Sequence, residues 1–413
     1  MKRRMMLVFA AVIPGFVMTS MGAPNFNVIG YATTNGGTTG GAGGTSQTIT
    51  SLSALVSWAA GREKNTASEM VTISGTISGD TLITIKNGAN ITIQGTGSSS
   101  QLVGVGLNIR DYTNVIVKNL KIREVLYPND ALTLDNVQRG WVDHCELHSK
   151  IGAGITVDTY DGLLDIKKGS AAITISWCYL HDHMKCSLVG HTDNLNQQDE
   201  DSGIRVTYHH NYFVNTDGRN PSIRYGATHM FNNYYGDITD YGLASRDGAH
   251  AKVENCHYEN VKLPMSTDKF MDPSSDAGDK IGGYICQTGN LFTGTCGANV
   301  ISQTGCDFWN SSTLPYSYTL DDVNTVKTTV ARYAGFGSNP TDIADDPGTG
   351  IHPTTSSTLI AAFNLSTSGA VRQGKRDRTV EVFDINGRKV AAGRASSGVC
   401  SRGIYIIRIK PAR

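Results

Sequence analysis

The sequence predicts an all-β chain wound as a solenoid, followed by a small β-module. Three observations carry that expectation. Charged residues are 17% of the chain and Gly numbers 46, a composition typical of turn-rich β proteins. One strand-like segment recurs: NVIVKNLKI (114–122), RGWVDHCEL (139–147), AITISWCYL (172–180), IRVTYHHNYF (204–213), THMFNNYY (228–235) and HAKVENCHYE (250–259). Its alternating apolar residues lead to a small polar residue and a further apolar pair, which places Asn119, Cys145, Cys178, Asn211, Asn233 and Cys256 at one position. The intervals between those positions are 26, 33, 33, 22 and 23 residues. A constant strand at variable spacing is what stacked coils give, because loops can grow sideways without disturbing the stack.

The elements follow in order. Lys2, Arg3 and Arg4 precede an apolar run from Met5 to Met18 and small residues up to Ala23, the pattern of a signal peptide over 1–23, cleaved near Met21–Ala23. The run is too short for a permanent anchor, and no other long apolar segment occurs. The mature chain is therefore expected to be secreted, extracellular or attached at the cell surface, without a membrane span. Residues 49–61 carry Leu52, Leu55, Val56 and Ala59 at helical spacing, a helix suited to covering one open end of the solenoid. Strands then begin at VTISGTI (71–77), LITIK (82–86) and ITIQG (91–95). The repeat fades after a shorter match at Asn290, and 314–337 reads as a helix in the returning tail, closing a domain of 24–338.

Asn stacked at a turn can form a ladder of amide hydrogen bonds, and Cys145, Cys178 and Cys256 read as buried thiols in the same ladder. Cys286, Cys296 and Cys306 are the disulfide candidates, with the pairing open. Residues 339–357 have the Pro, Gly, Asp, Thr and Ser composition of a linker. In 358–413, Asn386-Gly387 sits between alternating strands in TVEVFDINGRKV (379–390), a hairpin signal, and GIYIIRIK (403–410) adds a further strand. This segment resembles the C-terminal sorting modules of proteins exported by the type IX route, which implies secretion machinery as a partner.

Lys+Arg and Asp+Glu are both 36, so no global charge points to nucleic acid or an anionic membrane. A charged ligand must find a local cluster. Asp161 and Asp165 flank Gly162-Leu163-Leu164, Asp130 lies in PNDALTL, and Asp143 lies in the strand WVDHC. Oxygen ligands on neighbouring coils could converge on a hard cation such as Ca2+. Lys185, Arg219 and Arg224 follow strands that emerge on the same side, so cations and carboxylates are expected to line one groove suited to a carboxylate-bearing polymer. His144, His181, His183, His209 and His210 are read as packing and turn residues, and Trp141 and Trp177 as stacked core aromatics at equivalent strand positions.

The stretches WVDHCELHS (141–149), DGLLDIKKGSAAITISWCYLHDHMKCSLVGHTD (161–193) and VTYHHNYFVNTDGRNPSIRYGATHMFNNYY (206–235) resemble the pectate lyases of polysaccharide lyase family 1. Weaker similarity extends the resemblance over roughly 28–337, about three quarters of the chain. It implies a right-handed parallel β-helix and Ca2+-dependent β-elimination of α-1,4-polygalacturonate, by a monomer. The Asp of the family's (D/N)DA motif falls on Asp130, with Asn129 the nearest candidate for a fourth ligand. Two further ligands fall on Asp161 and Asp165, the substrate-binding Lys on Lys185, the catalytic Arg of RxPxxR on Arg219, and the Arg that binds substrate carboxylate on Arg224. Cys186 departs from the Thr or Ser of the family. The implied base is unusual, since Arg is normally protonated below about pH 12, so activity is expected to rise towards alkaline pH. The rivals are a pectin lyase acting on methyl-esterified polymer, which should lack the Asp cluster, a hydrolase with paired acid and base carboxylates, and a non-catalytic glycan-binding solenoid, which need not keep all six charged residues.

Overall fold

The computed structural model describes residues 24–274, 281–311 and 314–337, and the backbone of three C-terminal strands at 379–384, 389–394 and 405–410. The expected signal peptide (1–23), linker (339–357), Asn386-Gly387 turn and Cys400 lie outside the described residues. The chain divides into two compact units, Met1–Thr354 and Thr355–Arg413.

The first unit is a parallel β-helix whose strands join into one 22-stranded sheet bent around three faces. Every strand pairs in parallel with its counterpart one coil away, which brings residues 20 to 34 apart in sequence to one sheet spacing. Inward side chains therefore stack by type. On one face Val71, Ile93, Val117, Val142, Ile175, Tyr208, Met230 and Val253 follow one another in register, each at most 1% exposed. On the next face Phe213, Tyr235, Tyr258 and Phe292 stack with centroids 4.9, 4.5 and 5.3 Å apart. The third face runs from Leu132–Asp143 through Leu164–Lys167, Ser187–Val189, Ser222–Arg224 and Leu243–Arg246.

The expected ladder is present. Asn211 Oδ1 accepts from the Cys178 N–H (2.9 Å), Asn233 Oδ1 from the Asn211 N–H (2.9 Å) and Asn290 Oδ1 from the Cys256 N–H (2.9 Å). Each amide donates back to a carbonyl of the preceding strand, Ile175, Tyr208 and Val253 respectively. Cys145, Cys178 and Cys256 are buried free thiols, as expected. Cys286 is bonded to Cys306, and Cys296 is free.

The capping helix is Leu52–Gly61, with the Ser51 hydroxyl accepting from the Ala54 N–H. It buries Leu55, Trp58 and Ala59, whereas Val56 is 48% exposed. The expected apolar face is thus rotated: Trp58 turns inward because its indole donates to Glu69 (3.1 Å), which also pairs with the buried Arg62 (3.0 Å). In the tail, only Val323–Tyr333 is helical, started by Asp322. Residues before it cross the first face as an extended arm, with Tyr318 donating to Glu254 (2.6 Å). Trp177 does not stack on Trp141. It lies between His144 and His210, centroids 6.0 and 4.2 Å away, because all three immediately precede the ladder residue of their coil. Trp141 sits three residues earlier in its coil, in register with Thr174, and donates to Ser176.

Burial alone would raise the Glu254 pKa, but His229, Lys252 and Tyr318 all donate to its carboxylate and hold it at about 2. A depressed carboxylate stabilises fully above its unfolded value and loses that contribution as pH falls towards the folded one. Glu254→Gln should therefore cost about 2 kcal/mol at pH 7, discounted for solvent screening. By pH 3 the gap should shrink by half or more. Denaturant titrations at the two pH values check this, and an equal gap at both would exclude the ionic origin.

In the second unit, Thr379–Asp384 pairs antiparallel with both Lys389–Arg394 and Tyr405–Lys410. Among the described residues no helix is long and apolar enough to cross a membrane.

Candidate active site

The outer side of the third face, and the turns that lead into it, gather the charged residues singled out in the sequence. In Leu164–Lys167 the side chains alternate, so Leu164 and Ile166 enter the core while Asp165 and Lys167 point out. Asp130 ends the turn one coil earlier and is 9% exposed. Its Oδ1 accepts from the Gly162 N–H (2.8 Å), and its Oδ2 from Thr133 (2.7 Å) and the Lys167 ammonium (2.7 Å). Asp165 lies 3.2 Å from the same ammonium and accepts from the Leu188 N–H (3.1 Å).

These two carboxylates face each other across Gly162. A Cβ on Gly162 would stand 2.6 Å from Asp130 Oδ1 and 2.6 Å from Asp165 Oδ2. Gly162 is not among the left-handed residues, so the space between the carboxylates is what excludes a side chain here. Burial and then the Asp130 carboxylate push Asp165 up to about 6, against Lys167 and Arg219. Burial would also raise Asp130, but Lys167, Thr133 and the Gly162 N–H bring it below the ordinary value. Burial would lower Lys167, but its two carboxylates more than offset this and keep it charged. The pair thus carries more negative charge than Lys167 neutralises. All its donor atoms are oxygens, which suits a hard divalent cation.

Asp161 does not join them here. Its carboxylate takes the Lys185 ammonium at 2.7 Å. Its carbonyl accepts from His183 Nε2 (2.7 Å), a ring that burial holds neutral with a pKa of about 4. His183, read from sequence as packing, therefore fixes the backbone of the Asp161 turn. Asn129 is half-buried and bonds through its N–H to the Leu126 carbonyl. Asp143 belongs elsewhere, between Ser176 (2.6 Å) and His144 (2.6 Å).

Lys185 ends the strand Tyr179–Lys185 and pairs in register with Gly218 one coil on, so Arg219 leaves the next strand at the same corner. Arg219 has a left-handed backbone (φ 59°), a conformation that costs on the order of 1 kcal/mol and persists only when clamped. The clamp is visible: the Arg219 carbonyl accepts from Ser187 N–H, and the buried Asn220 donates to Tyr241 O (3.0 Å) and accepts from Thr216 (2.9 Å). Among the described residues the half-buried Arg219 side chain has no ion pair.

Arg224 is in register with Arg246 on one side and Gly190 on the other. The outward row therefore reads Lys167, Gly190, Arg224, Arg246, with Gly190 allowing Arg224 to approach closely. Arg224 donates to Gly190 O (3.3 Å) and lies 3.8 Å from Asp193 and from Asp247. Burial, then Arg246, lowers its pKa. Lys167 and Arg246 were not singled out from the sequence. The doublet Lys167-Lys168 reads as a solvated charge run, and Arg246 is found only once the register of Ser222–Arg224 with Leu243–Arg246 is known.

A pectate lyase family model matches residues 5–339. A pectate trisaccharide-lyase of Bacillus licheniformis is 36% identical over 323 residues, covering 76% of this chain and 88% of that protein. Pectate lyase A of Aspergillus niger is 36% identical over 336 residues, 80% of this chain and 95% of that one. Among solved structures, a Bacillus sp. pectate lyase in complex with trigalacturonate superposes with a TM-score of 0.64 at 32% identity, covering 76% of this chain and 99% of that one. Pectate lyase C of Erwinia chrysanthemi, solved with Ca2+, does so with a TM-score of 0.60 at 25% identity, covering 76% and 97%.

Proposed function

From the premise that this chain belongs to the pectate lyase family and cleaves pectate, we propose that the cleavage is Ca2+-dependent β-elimination in the groove of the third face. The convergence of Asp130 and Asp165 on Gly162, beside a row of cations, is the observation that supports it. Asp130 and Asp165, with Asp161 from the same turn and Asn129 as a further candidate, would hold the ion. When bound, Ca2+ supplies Lewis-acid polarisation of a galacturonate carboxylate, which makes the neighbouring C5 proton more acidic.

Lys185 and Arg224 bind substrate carboxylates, Arg224 with its backbone packed closely against Gly190. Arg219 removes the C5 proton. The electron pair of the C5–H bond becomes the C4–C5 double bond, the C4–O4 bond breaks, and water protonates the leaving oxygen. The cationic row stabilises the carbanion-like charge that develops. The 1–23 segment would export the chain as a monomer to its polymer, and the 379–410 strands would serve the sorting machinery. Mass spectrometry of protein from the medium tests this through its first and last residues.

The direct test follows ultraviolet absorbance of unsaturated uronide from polygalacturonate. The absorbance should rise with Ca2+ and stop with chelator. New reducing ends without absorbance would instead identify a hydrolase, and a preference for methyl-esterified polymer without Ca2+ a pectin lyase. Gly162→Ala should lower activity at limiting Ca2+ by roughly 10-fold or more, because its methyl group occupies the space between the carboxylates. Raising Ca2+ should restore part of the rate. Wild-type Ca2+ dependence in this variant would remove Gly162 from the site.

A further inference from the structure

Outside the groove, three side chains converge on the second face. Glu146 and His148 point outward from Glu146–His148, and His181 points outward from Tyr179–Lys185 one coil on, in register with His148. Glu146 Oε1 lies 3.5 Å from His181 Nε2 and 4.0 Å from His148 Nε2. The two imidazoles stack at 4.5 Å with 17° between planes. All three ligand atoms fall within 4.8 Å of one another. We propose that this cluster is a second metal site, selective for Zn2+ or a similar borderline transition-metal ion, with Lys121 as the competitor for Glu146.

Several independent features point to it. Tetrahedral Zn2+ with bonds of about 2.0–2.1 Å sets its ligand atoms about 3.3 Å apart, so the ligand atoms must close by a few tenths of an ångström to about 1.5 Å, with the two imidazoles rotating out of their stack so that both ring planes meet the ion. The other ring nitrogens are already tied: His181 Nδ1 stands 2.6 Å from Asp182, and His148 Nδ1 3.2 Å from the Ser149 carbonyl. Those partners engage Nδ1 and turn Nε2 towards Glu146, the orientation that ligating imidazoles receive from their outer partners, and an ion bound there displaces the proton that His181 Nε2 shares with that carboxylate. Asp182 is in turn held by Asn215. Glu146 and His181 are 5% and 8% exposed, yet Glu146 Oε2 is buried with no hydrogen-bond partner, and His181 Nε2 has only Glu146 Oε1 at 3.5 Å. Buried polar atoms are seldom left so.

The donor set decides the ion. Two imidazoles and one carboxylate suit Zn2+, Cu2+ or Ni2+, whereas Ca2+ prefers oxygen alone. His148 is half-buried, which leaves the fourth position open to water. Lys121 reaches in from the rim, 27% exposed, to place its ammonium 2.9 Å from Glu146 Oε1. A flexible ammonium can swing away to solvent, so it lowers the affinity without closing the site. The metal would tie together neighbouring coils four residues, or roughly 13 Å, along the strand from Lys185, and so acts on stability rather than on the reaction.

The test uses the full, chelator-stripped protein and Zn2+ alone, by titration calorimetry and thermal unfolding, with Co2+ as a spectroscopic substitute. Wild type should bind one Zn2+ at the cluster, unfold at higher temperature with it, and give the intense visible bands of four-coordinate Co2+. His181→Phe, which keeps the ring stack, and Glu146→Gln should each weaken binding about 100-fold or more. His148→Phe, at a half-exposed position, provides the same test should His181→Phe fail to fold. Lys121→Met should tighten binding about 10-fold or more. The Ca2+-supported lyase rate of folded His181→Phe should match wild type. The proposal is overturned if wild type binds no Zn2+, if the ligand variants bind as tightly as wild type, or if Asp165→Asn rather than His181→Phe abolishes binding. A Lys121→Met variant no tighter than wild type removes Lys121 as competitor.

Discussion

Arg219→Lys is expected to lower kcat by roughly 10³-fold while leaving KM for polygalacturonate within a few-fold, because proton transfer by a positioned base is worth about 10²–10⁴. The backbone clamp on Arg219, through Ser187, Asn220 and Tyr241, does not involve its side chain, so the variant should fold normally. Arg224→Lys should behave oppositely, raising KM more than it lowers kcat, because the contact with Gly190 and the shared Asp193 mark it as a fixed cation in the groove. The wild-type rate should climb towards alkaline pH, as general-base catalysis by a strongly basic group requires. Arg219→Lys retaining more than a tenth of the rate, or a wild-type optimum in the acid range, would assign the base elsewhere.

Asn233→Leu should destabilise the protein by about 3–5 kcal/mol. Asn233 is fully buried, donates to the Tyr208 carbonyl (2.9 Å) and accepts from both the backbone N–H and the side chain of Asn211 (2.9 and 3.0 Å). A leucine of similar size keeps the packing and leaves these groups orphaned, at roughly 1–3 kcal/mol each. Asn233→Cys should cost less than half as much, since Cys145, Cys178 and Cys256 already occupy this corner in other coils. Chemical denaturation of the three proteins decides the matter, and equal losses for Leu and Cys would show that the amide hydrogen bonds are not what the corner requires.

The repeat was legible because a solenoid writes the same local demand once per coil. Asn211 and Asn233 share one place in the repeat, and their hydrogen bonds follow from it. What needed coordinates was registration between coils. Trp177 was matched to Trp141 by residue type, whereas its place beside the ladder aligns it with His144 and His210. Arg246 carries no local signal and is recognised only opposite Arg224. Apolar spacing finds the Leu52–Gly61 helix but misplaces its face, putting the exposed Val56 inside and missing Trp58. Its inward side is chosen by the Trp58 hydrogen bond to Glu69, a long-range event that apolar spacing cannot contain. Asp130, Asp161 and Asp165 were named together, yet only the structure reveals that Asp161 is drawn to Lys185 while the other two share Lys167.

The groove residues Asp130, Asp165, Lys185 and the pair Arg219 and Arg224 come from four successive coils, so their spacing along the axis is set by strand pairing, at about 4.8 Å per step. Such a molecule has two unequal directions of evolutionary freedom. Insertions between strands leave the ruler unchanged, as the irregular coil lengths attest. Adding or deleting a whole coil between Asp130 and Arg224 would shift carboxylates, base and anchor out of phase by a full step, while the same change beyond Leu243–Arg246 would only lengthen the track on which the polymer lies.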